Sequence, residues 1–176
     1  MRKALSFGVA LLVAAAGVIG ILLFLNSRDK ATFSESAGPG IAYANQGSAP
    51  LAPGQRPPRP YNSSPPTSGP HARVPVARDR RELTDSQILT ALAAGNVILF
   101  YGTSAPPPGL AALADRVAGP FDPQLAAAGQ AVILARRPGT RGVTAAAWRH
   151  LQPAPSAGDP ALGAFADFWL GRGSGQ

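Results

Sequence analysis

Residues 84–101 read Thr84-Asp85-Ser86-Gln87-Ile88-Leu89-Thr90-Ala91-Leu92-Ala93-Ala94-Gly95-Asn96-Val97-Ile98-Leu99-Phe100-Tyr101, and this stretch decides the fold class. Thr84 followed three residues later by Gln87 is a capping box, in which the two side chains satisfy each other's backbone N–H groups at a helix start. Ile88, Leu89 and Leu92 then fall on one helical face, and Gly95 is a C-terminal stop able to take a left-handed conformation. Only one residue separates that stop from Val97–Tyr101, five apolar residues without a polar break, which fits a strand buried on both faces. A capped amphipathic helix running straight into a buried strand predicts an α+β domain.

Working outward toward the C-terminus, Leu110, Leu113, Ala114 and Val117 share a helical face before Gly119-Pro120. Residues 130–136 and 143–148 read as two strands, joined by Arg137-Pro138-Gly139-Thr140-Arg141-Gly142 as a hairpin turn. Asp159-Pro160 opens a last helix, with Asp as cap and Pro at the first position. Leu162, Phe165, Ala166 and Trp169 form its apolar stripe. The expectation is a small mixed sheet with helices packed on it. The order helix, strand, helix, strand, strand, helix is that of a thioredoxin-like domain lacking its first strand, an analogy of arrangement alone.

Toward the N-terminus the character changes. Residues 31–60 lack apolar periodicity and carry Pro39, Pro50, Pro53, Pro57, Pro58 and Pro60, which forbid helix and central strand. They predict a Pro/Gly-rich extended arm, either a spacer or a strap along a partner held by Phe33, Ile41, Tyr43 and Leu51. Further back, Ala4–Leu25 are 22 residues without a charge. As a helix they would measure about 33 Å, close to the apolar thickness of a bilayer. Residues 1–30 are therefore expected to form an uncleaved transmembrane anchor, longer than the apolar core of a signal peptide. Arg2, Lys3 and the amino terminus keep that end cytoplasmic by the positive-inside rule, which puts the rest on the periplasmic face of a bacterial inner membrane. Ser6, Ala10, Ala14, Gly17 and Gly20 line the helix with small residues, where another helix backbone can approach. The domain proper is expected over 61–172.

Composition excludes several chemistries. The chain of 176 residues has no Cys, which removes disulfides, thiolate metal sites and Cys nucleophiles. Its net charge is +7, with a cluster at Arg73, Arg78, Arg80 and Arg81. The arginines are not interleaved with aromatics, so no nucleic-acid partner is expected; the charges read first as a solvated surface, with docking of Arg73 to Arg81 on an anionic membrane surface as a weaker alternative. No catalytic constellation emerges. Ser68, His71 and Asp79 are the residue types of a triad, but they lack the sequence context of a nucleophile elbow. The loop Gly102–Gly109 lacks the Lys and the spacing of a phosphate cradle. Trp148 and Trp169 read as core residues, and no cofactor is expected.

The most distinctive run is Tyr61-Asn62-Ser63-Ser64-Pro65-Pro66-Thr67-Ser68-Gly69-Pro70-His71. Proline fixes the backbone at Pro65, Pro66 and Pro70, Gly69 permits a positive φ, and the hydroxyls of Thr67 and Ser68 can cap nearby backbone. The run resembles the Asn-Pro-Pro-Thr-Ser-Gly-Pro-His signature of a bacterial family of membrane-anchored domains of unknown function. The resemblance extends over about residues 60–171. It implies a short helix ending in Leu-Glu-His-Gly, then an apolar strand with a Tyr, and later an Ala-Trp strand. Here those read Leu92-Ala93-Ala94-Gly95, Val97–Tyr101 and Ala147-Trp148. The Glu-His pair is replaced by Ala93-Ala94. If that pair served a metal or acid-base site with the signature His, only His71 remains here, and one imidazole cannot hold a transition metal by itself.

These readings predict a non-catalytic accessory subunit of a larger membrane complex, with a photosynthetic or respiratory assembly as one host. The alternative is a free-standing, membrane-tethered periplasmic domain that binds a ligand or metal through His71.

Overall fold

The computed structural model describes residues 38–52 and 54–175. They contain β1 (Ile41–Ala42), α1 (Asp85–Ala94), β2 (Val97–Tyr101), α2 (Leu110–Ala118), α3 (Pro123–Ala127), β3 (Val132–Arg136), β4 (Val143–Ala147), β5 (His150–Ala154) and α4 (Pro160–Trp169). The strands form one mixed sheet in the order β1-β5-β4-β2-β3, parallel between β2 and β3 and antiparallel elsewhere.

The capping box forms as its residues dictate. Gln87 N donates to Thr84 Oγ1, Gln87 Oε1 accepts from the Thr84 backbone N–H, and Gly95 closes α1 with φ 114°. All five residues of β2 are buried. Alternation along β2 serves two apolar layers. Val97, Leu99 and Tyr101 pack with Leu110, Ala114, Leu162, Phe165 and Trp169 from α2 and α4. Ile98 and Phe100 pack on the other face with Ile88, Leu89 and Leu92 of α1. Each fully buried Leu, Ile or Phe contributes about 1.5–3 kcal/mol of transfer free energy, so these layers supply most of the drive to fold.

Several expectations need correcting. The strands at 130–136 and 143–148 do not make a hairpin, because β2 lies between them, pairing Tyr101 with Arg136 on one side and with Val143 on the other. The turn 137–142 therefore crosses the end of β2. Gly102 makes the crossing possible, since a Cβ there would lie 2.3 Å from the Thr140 carbonyl oxygen. The hairpin is instead β4–β5. Pro153 obscures β5 in the sequence, although proline is tolerated there because β1 pairs β5 only at His150 and Leu151. The six-element order thus lacks two strands and the short helix α3, which opens with the same Asp-Pro signal, Asp122-Pro123, that opens α4 at Asp159-Pro160.

Residues 38–60 belong to the same compact unit as the domain, which runs Gly38–Gln176. The fold class is corrected as well: it is α+β with a mixed five-stranded sheet, and among the described residues no helix is long and apolar enough to cross a membrane. The stretch expected to span a bilayer, with Ser6, Ala10, Ala14, Gly17 and Gly20, lies outside the described residues, as does Phe33.

Candidate functional site

The signature run is built into the molecule as a buckle. Pro65, Pro66, Thr67, Ser68, Gly69 and His71 are buried, with Thr67 and Ser68 completely so. Buried hydroxyls and amides need partners: the Thr67 hydroxyl finds Ser63 Oγ within the run, and the other groups find theirs in two other segments. On one side the run holds residues 44–51. Ser68 Oγ accepts from Gln46 N at 3.1 Å, Gly69 N donates to Gly47 O at 2.7 Å, His71 N donates to Ala49 O and His71 O accepts from Leu51 N. On the other side Thr67 O accepts from Arg149 N at 2.9 Å, in the turn between β4 and β5.

Arg149 links the two sides. Its φ of 65° is left-handed, a conformation that strains a residue with a Cβ. Its backbone is held between Thr67 and Tyr43, whose N–H donates to Arg149 O, while its Nε donates to Tyr43 O at 3.2 Å. Gln46 and Asn62 close the ring from the surface: Gln46 bonds Asn62 N and Pro60 O, and Asn62 Nδ2 donates to Ala44 O. Tyr61 lies over Gly69, where a Cβ would sit 2.7 Å from its ring, and its hydroxyl donates to Pro70 O. Burial, and then the charge of Asp85, push the Tyr61 phenol up from its ordinary value.

His71 is part of this clamp. Its Nδ1 lies 2.8 Å from Gly69 O, and because a carbonyl only accepts, Nδ1 carries the proton. Its ring is tilted against Trp148 at 6.5 Å. His150 is buried in the next layer, with Nδ1 on Trp148 O and its ring stacked on Trp169 at 3.9 Å. Ser68, His71 and Asp79 are not brought together: the hydroxyl goes to the Gln46 backbone, the imidazole to Gly69, and the carboxylate to Arg80 at 3.4 Å. Ala93 and Ala94, at the positions of the resembled Glu-His pair, instead carry the C-terminal segment, with Ser174 N on Ala93 O. Among the described residues no group of three His, Asp or Glu side chains is placed to hold a metal.

A second feature is an open groove of about 550 Å³ at the carboxyl end of β2, lined by Gly102, Thr103, Pro107, Thr140, Pro155 and Ser156. No charged side chain lines it. Beside that end, Tyr101 has its phenol pushed up by burial and by Asp79, against the pull of Arg80 and Arg136.

The family described as "Protein of unknown function (DUF3105)" matches residues 56–175. The chain belongs to the DUF3105 family. No curated protein and no solved structure matches it. The match takes in the whole signature run and strands β2 to β5, and it begins within the segment 38–60 that β1 and the buckle bind to the DUF3105 domain.

The structural links that sequence reasoning misses are amides and a guanidinium: Gln46, Asn62, Asn96 and Arg149. Asn96 is buried, donates to Ala91 O and Ala126 O, and accepts from Ala131 N, tying α1, α3 and the entry to β3 together. Its position just after the helix-stopping Gly95 is the one available signal.

Proposed function

We propose that this DUF3105 protein is a non-catalytic accessory subunit whose domain docks on a larger assembly at a membrane. What supports this reading most is how the signature uses its polar groups. Thr67, Ser68, Gly69 and His71 join three chain segments, which makes them parts of a scaffold, and a rigid preformed surface suits a docking role. Membrane location, on the extracytoplasmic side, is supported by the sequence of residues 1–30 alone. The assembly, photosynthetic or respiratory, is one to be found by isolation. Solubilising native membranes in mild detergent and measuring native mass tests the reading. Co-migration with other subunits is expected, and a protein running alone under those conditions refutes it.

The rival reading, a tethered ligand- or metal-binding domain using His71, predicts stoichiometric metal in the purified chain and its loss in His71→Ala. Burial of His71 and the engagement of its Nδ1 by Gly69 weigh against it.

A further inference from the structure

The fold gathers arginines that the sequence keeps apart. Arg81 bridges Ala135 in parallel, Arg80 N donates to Leu134 O, and Arg136 N donates to Arg81 O. That lays residues 80–81 along the outer edge of β3. Tyr101 pairs with Arg136 on one side and Val143 on the other, so residues 136–143 all sit over the same end of the sheet. Arg80, Arg81, Arg136, Arg137 and Arg141 thus surround the carboxyl end of β2 and β3. Of these five, only Arg80 and Arg136 are answered by carboxylates among the described residues, Asp79 and Glu82 respectively. Arg137 donates to Ser64 Oγ, a neutral partner, and Arg81 and Arg141 are exposed. The end keeps an excess of positive charge in a chain whose total is +7.

We infer that this arginine-rimmed end of the sheet docks on an anionic phospholipid surface. The choice of lipid over protein rests on what the patch lacks. Protein interfaces are anchored by apolar side chains at their centre. Among the described residues the large exposed hydrophobics are Ile41, Val74 and Leu125, and none belongs to residues 80–82, 101–104 or 136–143. A headgroup layer needs no such anchor. It attracts clustered cations through its surface potential. The inference rests on the membrane location proposed above but not on any partner subunit.

The test is binding of the full chain to vesicles of 30% phosphatidylglycerol in phosphatidylcholine and to vesicles of phosphatidylcholine alone. The neutral vesicles register whatever residues 1–37 contribute through apolar contact, so the ratio of the two affinities reports charge. Replacing Arg81, Arg137 and Arg141 together by Gln is expected to lower that ratio by roughly a hundredfold at low salt, on the order of five-fold for each arginine. The same three positions changed to Lys are expected to hold the ratio near the wild-type value, which separates lost charge from lost folding. Arg141→Gln alone, in an exposed turn, is expected to lower it about five-fold. Salt at 0.5 M should collapse the preference. A ratio unchanged in the Gln triple variant overturns the inference, as does a wild-type ratio near one. Failure of co-purification would leave the vesicle result intact, so the two ideas fall separately.

Discussion

Residues 84–169 and residues 38–83 hold their shape by different means. The first region has two apolar layers on a sheet, with β2 buried along its whole length and Phe165 and Leu162 fully enclosed. Among its described residues the second has a two-residue strand, β1, and otherwise no regular element. It is secured by hydrogen bonds between its own backbone, the Thr67–His71 run and the Arg149 turn. The lesson is that a proline-rich polar segment can be as closely specified as a core when its backbone groups are satisfied pairwise. Such a clamp stands on many small terms, each net bond contributing about 1 kcal/mol, whereas the core depends on a few large ones.

Removing a large core side chain should break the first region hardest. Phe165→Ala is expected to lower stability by about 3–5 kcal/mol in denaturant melts, because it empties the layer between α4 and the sheet. In the second region, Gly69→Ala forces an alanine to φ 135° with its Cβ against the Tyr61 ring, at a cost of about 1–3 kcal/mol. Proteolysis should then open residues 44–71 while α1 and β2 stay protected. That outcome separates the two regions. Simultaneous cleavage in both would instead show that they unfold as one.

Tyr61→Phe loses the bond to Pro70 O and should cost about 1 kcal/mol near neutral pH. It also sharpens the pH dependence. The Tyr61 phenol titrates higher in the folded state than its ordinary value of 10.0, so the neutral form is the one the fold favours. Its contribution is fully present below pH 10 and is lost as pH rises from there through the raised value. The variant should show a shallower alkaline loss of stability than the wild type, with the part due to Tyr101 remaining. Thr84→Ala, which removes the cap of α1, should cost about 1 kcal/mol in the same melts. Asp167→Ala breaks an exposed pair with Arg116 and should change stability by no more than about 0.5 kcal/mol.

The first region was legible because periodicity and capping speak directly. Thr84, Gly95 and Asp159 mark element ends, and the run Val97–Tyr101 marks the buried strand. Its sheet order was not legible. Whether the turn 137–142 joins neighbours or crosses β2 depends on the close approach of Gly102 to Thr140, and no local pattern encodes that contact. The second region hid for a different reason. Proline and glycine in residues 38–60 correctly exclude helix and central strand, but they do not say whether the backbone's partners are water or a remote segment. Here they are Thr67–His71 and Arg149, roughly 20 and 105 residues further along. The candidate site was half legible. Pro65–His71 stood out by composition, yet its role as a buckle shows only when Ser68, Gly69 and His71 are seen to bond Gln46, Gly47 and Ala49.

Amide hydrogen exchange, residue by residue, tests the buckle most directly. The account predicts slow exchange at Tyr43, Gly69, His71 and Arg149, within reach of the rates in β2, and its selective loss at those four amides in Gly69→Ala. Exchange at the rates of an open chain across Tyr43, Gly69 and His71 in the wild type, with β2 still protected, would contradict it.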